Sequence, residues 1–250
     1  MNGIMTVSQP SVQLYTVRES LRDDLPSTLG RLADIGFRLV EPYDFIAFDT
    51  LGEGLQAAGL TAPTTHAHFV GGDADAVFAA ARKLGIGTVV EPYVEPERWS
   101  SLEGVRAVAA ELNAAAKVGA RHGIRVGYHN HSHELSSLLD GRPALEVFAD
   151  LLDDAVVLEV DTYWVAVGGQ DPVQLLGRLG DRVQALHIKD GPATLETKDQ
   201  VAVGAGSLPI WDIIAAAPDA LRVIELDDSR GDRFHAIADS FAFLTTEAAA

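Results

Sequence analysis

Residues 156–190 read VVLEVDTYWVAVGGQDPVQLLGRLGDRVQALHIKD, and this stretch decides the predicted fold class. It begins with an apolar run that ends at Asp161, passes Gly168 and Gly169, and closes with a second apolar run that carries His187. A strand, a helix and a strand of this length form a βαβ unit with parallel strands. Asp161 and His187 each fall near the carboxyl end of their strand, so both side chains can converge on one ion.

The same unit repeats along the chain. Helical periodicity marks residues 25–35, where Gly36 is a stop signal, and residues 73–84, which begin with an Asp cap. The predicted strands lie roughly 30 residues apart, as a (β/α)8 barrel requires. Their ends are predicted at Tyr15, Glu41, His68, Glu91, His129, Asp161, His187 and Glu225. We therefore predict an α/β fold, a (β/α)8 TIM barrel that forms one domain over residues 1–250.

Two other arrangements compete with the single barrel. The length of 250 residues also allows two small domains, but no composition shift marks a linker. A doubly wound open sheet normally has a Gly-rich dinucleotide turn after its first strand. The first strand is predicted over residues 11–17, and residues 15–19 read YTVRE, which contains no glycine. The third strand is predicted over residues 60–69 and is the weakest, because Pro63 interrupts it.

Composition excludes several classes of function. The net charge is −17 and the basic residues are dispersed, so we expect no nucleic-acid partner. No segment is long and apolar enough to span a membrane, and we expect no membrane partner. Residues 1–6 lack the basic region and apolar core of a signal peptide, so a cytoplasmic location is expected. The chain has no cysteine, so any metal site must use nitrogen and oxygen ligands.

Polar residues concentrate at the predicted carboxyl ends of the strands, where barrels carry their active sites. Residues 127–135 are the densest part, with three histidines and one carboxylate within six residues. Any one of these residues alone is more often a satisfied polar group, and this loop can simply bond to neighbouring loops. The joint placement of the whole set favours a functional site: Glu41, His66, His68, Glu91, His129, His131, Glu134, Asp161, His187, Lys189, Asp190 and Glu225.

Five ordered motifs carry a family resemblance that covers nearly the whole chain. They are HNHxxE at 129–134, LEVDTYW at 158–164, LHIKDG at 186–191, VGxG at 203–206 and IELD at 224–227. This set resembles the xylose isomerase-like barrel superfamily. More narrowly, it is similar to bacterial sugar phosphate isomerases/epimerases, near inosose dehydratase and the ketose 3-epimerases. The motifs are specific for the superfamily and are poor guides to the substrate.

The resemblance implies one divalent metal ion, Mn, Co, Mg or Zn, held by residues from four strands. Asp161, His187 and Glu225 match three ligands of the family pattern. The sequence departs from the pattern at the first ligand, a Glu within the fifth strand. Glu134, a few residues further on, is the first candidate substitute, and His129 is the second.

The chemistry that this resemblance implies is proton abstraction next to a carbonyl through a metal-stabilised enediolate. Glu225 is the expected base, with His129 or Glu134 on the opposite face of the substrate. Return of the proton to the other face gives epimerisation, and return to the adjacent carbon gives isomerisation. Loss of a β-hydroxyl gives dehydration, so a lyase acting on a keto-sugar or keto-cyclitol is the alternative to an isomerase or epimerase of carbohydrate metabolism.

Five residues are predicted to contact the substrate: Glu41, His68, His131, Trp164 and Lys189. Lys189 lies two residues after His187, so strand alternation puts both on one side. It is predicted either to contact a substrate oxygen or to pair with Asp161 or Asp190. Core packing is an equally open role for Trp164. Gly204 and Gly206 either let backbone approach a ligand or form a simple flexible loop.

Three classes of function remain open from the sequence. The first is the metal-dependent enzyme acting on a sugar or cyclitol, with a homodimer as a possible assembly. The second is an endonuclease of the apurinic type, for which the resemblance implies a trinuclear zinc site and a basic DNA face, and the charge opposes it. The third is a non-catalytic sugar-binding barrel or a partner-dependent subunit, which fits if the altered first ligand prevents metal binding.

Overall fold

The computed structural model describes residues 9–246. The prediction that the chain has no signal peptide concerns residues 1–6, which lie outside the described residues. Eight strands form one parallel sheet in the order β2-β1-β8-β7-β6-β5-β4-β3. Parallel bridges from Leu39 to Thr61 and from Tyr43 to His66 join the two ends of the sheet, so the barrel is nearly closed. The predicted TIM barrel is confirmed. Its strands are β1 (Ser11–Gln13), β2 (Leu39–Glu41), β3 (Thr64–His66), β4 (Thr88–Glu91), β5 (Arg125–His129), β6 (Val156–Asp161), β7 (Val183–Ile188) and β8 (Leu221–Ile224).

Helices follow the strands around the barrel. Asp24, Asp73, Ser101 and Asp171 accept a hydrogen bond from the first turn of the helix they precede, which is the role of an N-cap. A short hairpin pairs Leu138–Leu139 with Arg142–Pro143. The helices are α1 (Arg18–Asp23), α2 (Leu25–Ile35), α3 (Leu51–Ala58), α4 (Ala74–Lys83), α5 (Leu102–His122), α6 (His133–Ser136), α7 (Ala144–Leu151), α8 (Thr162–Val167), α9 (Pro172–Leu179), α10 (Ile210–Ala216) and α11 (Arg233–Thr246). None of these helices in residues 9–246 has the length and hydrophobicity that crossing a membrane requires.

Two strands end two residues before their predicted carboxyl ends, whereas β7 ends one residue after His187 and β8 ends one residue before Glu225. β1 ends at Gln13, because the Gln13 side chain accepts the Tyr15 N–H at 3.1 Å and the chain turns into a 3-10 helix. β3 ends at His66, because Glu91 accepts the backbone N–H groups of two residues beyond it, each at 2.8 Å. Tyr15 and His68 therefore lie beyond the strand ends, and the predictions that the strands end there are wrong.

The packing of β5 against the helices sets the direction of its side chains. Tyr128 packs against Phe148 of α7 and against Trp99, which precedes α5, and the three ring centroids lie 5.1–5.2 Å from one another. Because side chains alternate along a strand, His129 then points into the barrel. The same alternation puts Glu159 and Asp161 of β6 on the inner side, one above the other.

Candidate functional site

A cavity of about 390 Å³ opens at the carboxyl ends of the strands. Tyr15, Tyr43 and Tyr93 contribute aromatic rings to its wall. Among its other lining groups are the imidazole of His129 and the carboxylate of Glu225. Its ionisable lining combines three carboxylates with four histidines, and no lysine or arginine of the described chain lines it. A neutral polyhydroxylated ligand matches this lining better than an anionic one.

Three predicted metal ligands meet beside this cavity, and we call Asp161, His187 and Glu225 the Asp161 cluster. Glu225 lines the cavity, whereas Asp161 and His187 are buried behind its lining. Their ligand atoms lie within 4.8 Å of one another, and all three residues are buried. His187 Nδ1 lies 2.7 Å from Glu225 Oε2. Asp161 Oδ1 accepts the Trp164 N–H at 2.8 Å, which caps α8 and orients the carboxylate. Two carboxylates and one imidazole suit a borderline to hard divalent cation, so these residues fit the implied metal.

Lys189 supplies a positive charge to the same carboxylates. Its Nζ lies 2.8 Å from Asp161 Oδ2, from Glu225 Oε2 and from Asp227 Oδ2, and the residue is only 1% exposed. Burial alone would lower the pKa of Lys189, but these carboxylates hold it well above its usual value. Of the two predicted roles, the structure shows the pairing with Asp161. A metal ion at the Asp161 cluster must therefore share its carboxylates with an internal ammonium group.

Asp190 does not pair with Lys189. Its carboxylate accepts the backbone N–H groups of Gly191, Gly204, Gly206 and Leu208 at 2.8–3.1 Å. A Cβ on Gly206 would lie 2.1 Å from Asp190 Oδ1, so glycine permits the close approach of the loop to Asp190. The two predicted roles of this Gly-rich loop were ligand contact and simple flexibility. Neither prediction included these hydrogen bonds, through which the buried Asp190 carboxylate fixes the loop.

A second group of potential ligands, which the sequence analysis did not predict as a set, lies next to the first. It comprises His66, His129, Glu159 and His187, and we call it the Glu159 cluster. Glu159 Oε2 lies 2.5 Å from His66 Nε2 and 3.1 Å from both His129 Nδ1 and His187 Nε2. Strand alternation from Asp161 is the signal that could have identified Glu159 as inward-facing.

Glu134 lies outside both clusters. It is fully buried and accepts hydrogen bonds from the Tyr128 hydroxyl at 2.6 Å and from the His131 N–H at 2.9 Å. His129, the other candidate for the fourth ligand, belongs to the Glu159 cluster, and its Nε2 lies 3.8 Å from Asp161 Oδ2 of the other cluster. Burial and the charge of His187 lower the pKa of His129 to about 3, so its imidazole is neutral and can donate a lone pair.

Glu134 should make the stability of the metal-free protein depend on pH. Burial raises its pKa from 4.5 to about 8, so between these values the folded protein holds a proton that the unfolded chain releases. Stability from this group is complete below pH 4.5 and is lost as pH rises through about 8. The loss is up to about 1.4 kcal/mol per pH unit. Glu134→Gln keeps a neutral side chain and should reduce this slope in urea unfolding between pH 5 and 8.

Glu103→Gln, on the exposed first turn of α5, is the matched control and should unfold with the wild-type slope. Equal slopes for Glu134→Gln and the wild-type protein would contradict a protonated Glu134. The comparison of slopes, rather than of absolute stabilities, removes the contribution of other titrating groups.

The charges of the Asp161 cluster differ from one residue to the next. Burial would raise the pKa of Glu225, but Lys189 and His187 hold it well below its usual value, so this carboxylate is ionised. Burial raises the pKa of Asp161 to about 6, although Lys189 and His187 oppose the shift. Glu225 thus presents an ionised carboxylate to the cavity, which is the state a proton acceptor needs.

The predicted substrate residues occupy different surroundings. His68 and His131 line the cavity, and the His68 ring bonds to Glu91 Oε1 at 2.7 Å. Glu41 does not line the cavity and is fully buried, with His187 Nε2 2.7 Å from its Oε1. Trp164 is 7% exposed and also lies outside the lining, and Lys189 Nζ is 5.7 Å from the centre of its ring.

Asn130 and Asp227 also contact the candidate site, although the sequence analysis gave them no role. Asn130 bonds to both backbone groups of Asp161, accepting its N–H at 3.0 Å and donating to its carbonyl at 3.3 Å, and so ties β5 to β6. Asp227 bonds Lys189 and accepts from Gln200 Nε2 at 2.7 Å. Asp227 lies two positions after Glu225, so side-chain alternation could have predicted that both face the same side. No sequence spacing predicts the contacts of Asn130.

Comparison with known proteins identifies the relatives of this chain. It is 26% identical over 227 residues to the inosose dehydratase of Geobacillus kaustophilus, an alignment that covers 82% of this chain and 69% of the relative. A sugar phosphate isomerase/epimerase from Parabacteroides distasonis has a similar fold, with a TM-score of 0.80, 23% identity, and coverage of 97% of this chain and 95% of that one.

A third similar protein is a xylose isomerase-like TIM barrel protein from Mycobacterium smegmatis, solved in complex with magnesium. The TM-score is 0.71 at 14% identity, with complete coverage of both chains, 100% each. The model of the family described as xylose isomerase-like TIM barrel matches residues 29–219. With three quarters of its length matched by that model, and with the barrel and the buried ligand clusters described above, the chain belongs to the xylose isomerase-like TIM barrel family.

Proposed function

We propose that this protein is a divalent-metal-dependent sugar isomerase or epimerase that moves a proton at a carbon next to a carbonyl. The observation that carries the proposal is the Asp161 cluster, which lies at the carboxyl ends of three successive strands and faces the cavity through Glu225. The magnesium bound by the Mycobacterium smegmatis relative supports a divalent cation in this protein as well. Mn, Co, Mg and Zn all suit the two carboxylates and the imidazole.

We assign different steps of this reaction to different residues of the chain. A cation held by Asp161, His187 and Glu225 would supply positive charge for the oxygens on which negative charge develops. The contacts of Glu225 with His187 and Lys189 both go to Oε2, and we assign proton abstraction to Oε1. His129, neutral and at the cavity wall, is our candidate for the group on the opposite face.

A fourth ligand is the part of the site where the family pattern and this chain differ. The separation of 3.8 Å between His129 Nε2 and Asp161 Oδ2 supports His129 as that ligand. The hydrogen bonds of Glu134 with Tyr128 and His131 support a structural role instead. If His129 is a ligand, Glu225 acts as the only base, and a reaction that needs one base, such as isomerisation or dehydration, becomes the favoured one.

The alternative activity is a dehydratase or lyase acting on a keto-sugar or keto-cyclitol. The 26% identity with an inosose dehydratase favours this alternative. It begins with the same proton abstraction and differs in the loss of a β-hydroxyl. We also propose a small neutral sugar or cyclitol as the substrate, because aromatic rings, carboxylates and histidines line the cavity, and no lysine or arginine of the described residues lines it to bind an anion. The same lining argues against an apurinic endonuclease, which needs cationic contacts to phosphates.

Hydrogen exchange with solvent tests the proposal directly. The metal-free protein is reloaded with Mn²⁺, Co²⁺, Mg²⁺ or Zn²⁺ and incubated in D2O with ketopentoses, ketohexoses and keto-inositols. We expect metal-dependent loss of the NMR signal of the hydrogen next to the carbonyl, and the product distinguishes epimer, isomer and dehydrated compound. Failure to bind any of these metals and to exchange any substrate would overturn the proposal in favour of a non-catalytic sugar-binding barrel.

A further inference from the structure

We propose that the Glu159 cluster binds a second divalent cation beside that of the Asp161 cluster. Its potential ligands come from the inner side of the barrel: His66 from β3, His129 from β5, Glu159 from β6 and His187 from β7. All four residues are buried, and their ligand atoms lie within 4.8 Å of one another. The second site goes beyond the single ion of the proposed function, although the two sites share His187.

Three imidazole rings converge on one carboxylate oxygen in this cluster. Nitrogens of His66, His129 and His187 lie 2.5–3.1 Å from Glu159 Oε2. An oxygen has two lone pairs, so it cannot accept well-directed hydrogen bonds from three ring nitrogens. The His66 and His187 rings are stacked, with centroids 5.0 Å apart and planes inclined by 8°. A cation among these atoms would be bound by one nitrogen lone pair from each ring, and the three rings would no longer compete for one oxygen.

Two buried carboxylate oxygens next to these rings have no hydrogen-bond partner within residues 9–246. They are Glu159 Oε1 and Glu41 Oε2, and their residues are 2% and 0% exposed. Glu41 Oε1 lies 3.3 Å from His66 Nε2, so Glu41 borders the cluster. Unsatisfied buried acceptors are costly, and buried carboxylates in proteins are usually paired or bound to a metal. A divalent cation in the Glu159 cluster would give Glu159 Oε1 a partner and offset the negative charge of that carboxylate.

The chemistry of the ligands selects the kind of cation. Three imidazoles and a carboxylate favour zinc or cobalt over magnesium, whereas the carboxylate-rich Asp161 cluster accepts the harder ions as well. His66 and His129 line the cavity, which gives a cation a path to the cluster. His187 lies between the two sites, with Nε2 toward Glu159 and Nδ1 toward Glu225. Binding of both cations would therefore release both ring protons of His187 to solvent, and the ring would bridge the two sites as an imidazolate.

Hydrogen bonding alone is the competing explanation. In that case Glu159 and Glu41 would only orient His187 for a metal at the Asp161 cluster, as carboxylates do behind many metal-bound histidines. The two explanations differ in the number of cations bound and in which residues each cation requires.

Metal titration of the whole 250-residue chain decides between them. Metal-free wild-type protein and four variants are titrated with Zn²⁺ by equilibrium dialysis, and with Co²⁺ while the visible absorption is recorded. His66→Gln and Glu159→Gln remove ligands of the second site, and Asp161→Asn removes a ligand of the first. His235→Gln, on the exposed face of α11, is the matched histidine control.

We expect two equivalents of Zn²⁺ in the wild-type protein and in His235→Gln, and one in each of the other three variants. The equivalent that persists in Asp161→Asn should give the Co²⁺ spectrum that His66→Gln and Glu159→Gln lose. If Glu159→Gln does not fold, as judged by circular dichroism, His66→Gln alone decides, since its side chain borders the cavity.

Three outcomes separate the two proposals. Wild-type zinc content in both His66→Gln and Glu159→Gln overturns the second site. One equivalent in the wild-type protein, absent from both His66→Gln and Asp161→Asn, shows a single shared ion and also overturns it. Full zinc content in Asp161→Asn, with one equivalent lost in His66→Gln, supports the second site while the metal position of the proposed function fails.

Discussion

Replacing Glu225 with Gln is expected to slow the exchange of substrate hydrogen with solvent by about 10²–10⁴-fold, the contribution typical of a general base. Gln has nearly the shape of Glu but cannot accept a proton. The pKa of Glu225 is held well below its usual value by Lys189 and His187, against the effect of burial, so the wild-type carboxylate is ionised at neutral pH. The measurement is the NMR exchange assay, with the substrate that the wild-type protein exchanges fastest.

The control for this substitution is Glu103→Gln, which makes the same chemical change on the exposed start of α5. Metal content is measured in parallel, because Gln also weakens a ligand of the Asp161 cluster. A Glu225→Gln protein that is saturated with metal but exchanges within threefold of the wild-type rate would remove Glu225 as the base. The same test would then move to His129 and Glu134.

Replacing Lys189 with Met is expected to destabilise the metal-free protein by about 3–5 kcal/mol, because breaking a buried ion pair leaves uncompensated charge. The substitution leaves the carboxylates of Asp161, Glu225 and Asp227 without the ammonium that lies 2.8 Å from each. Met fills most of the volume of the lysine chain, so the effect reports charge rather than a cavity. Urea unfolding in the presence of EDTA measures it.

Divalent metal should restore more stability to Lys189→Met than to the wild-type protein. A cation at the Asp161 cluster would compensate the negative charge of the carboxylates that have lost the Lys189 ammonium group. It would also no longer compete with Lys189 for these carboxylates. Lys117→Met, on the exposed side of α5, is the matched control and should unfold like the wild-type protein. A loss of less than about 1 kcal/mol in Lys189→Met would contradict the conclusion that Lys189 stabilises the protein through these carboxylates.

Local patterns in the sequence were sufficient to predict the barrel architecture. The repeat of apolar strands and amphipathic helices predicts parallel βα units, and helices such as Leu25–Ile35 begin and end where their cap residues indicate. Because parallel strands of a barrel end on one side, Asp161, His187 and Glu225 could be predicted to meet. The structure brings these three together.

Other features of the site depend on contacts between residues far apart in the chain. His66 and Glu159 meet across the barrel although 93 positions separate them. Glu134 sits in the densest polar motif, yet its hydrogen bonds with Tyr128 and His131 turn it away from both ligand clusters. Asp190 and Lys189 are neighbours in the sequence, and strand alternation sends one to the Gly-rich loop and the other to the barrel interior.

The sequence by itself determined the barrel, the side of it that carries the site, and three residues that meet there, because strand direction and side-chain alternation follow from local periodicity. Only the tertiary structure decided which inward-facing residues share a layer, because this depends on the register between strands and on the bulge near Leu158 and Glu159. It also decided that Lys189 pairs with three carboxylates. Opposite charges attract strongly in the low dielectric of the interior, and the packing of the strands places this ammonium group next to the carboxylates.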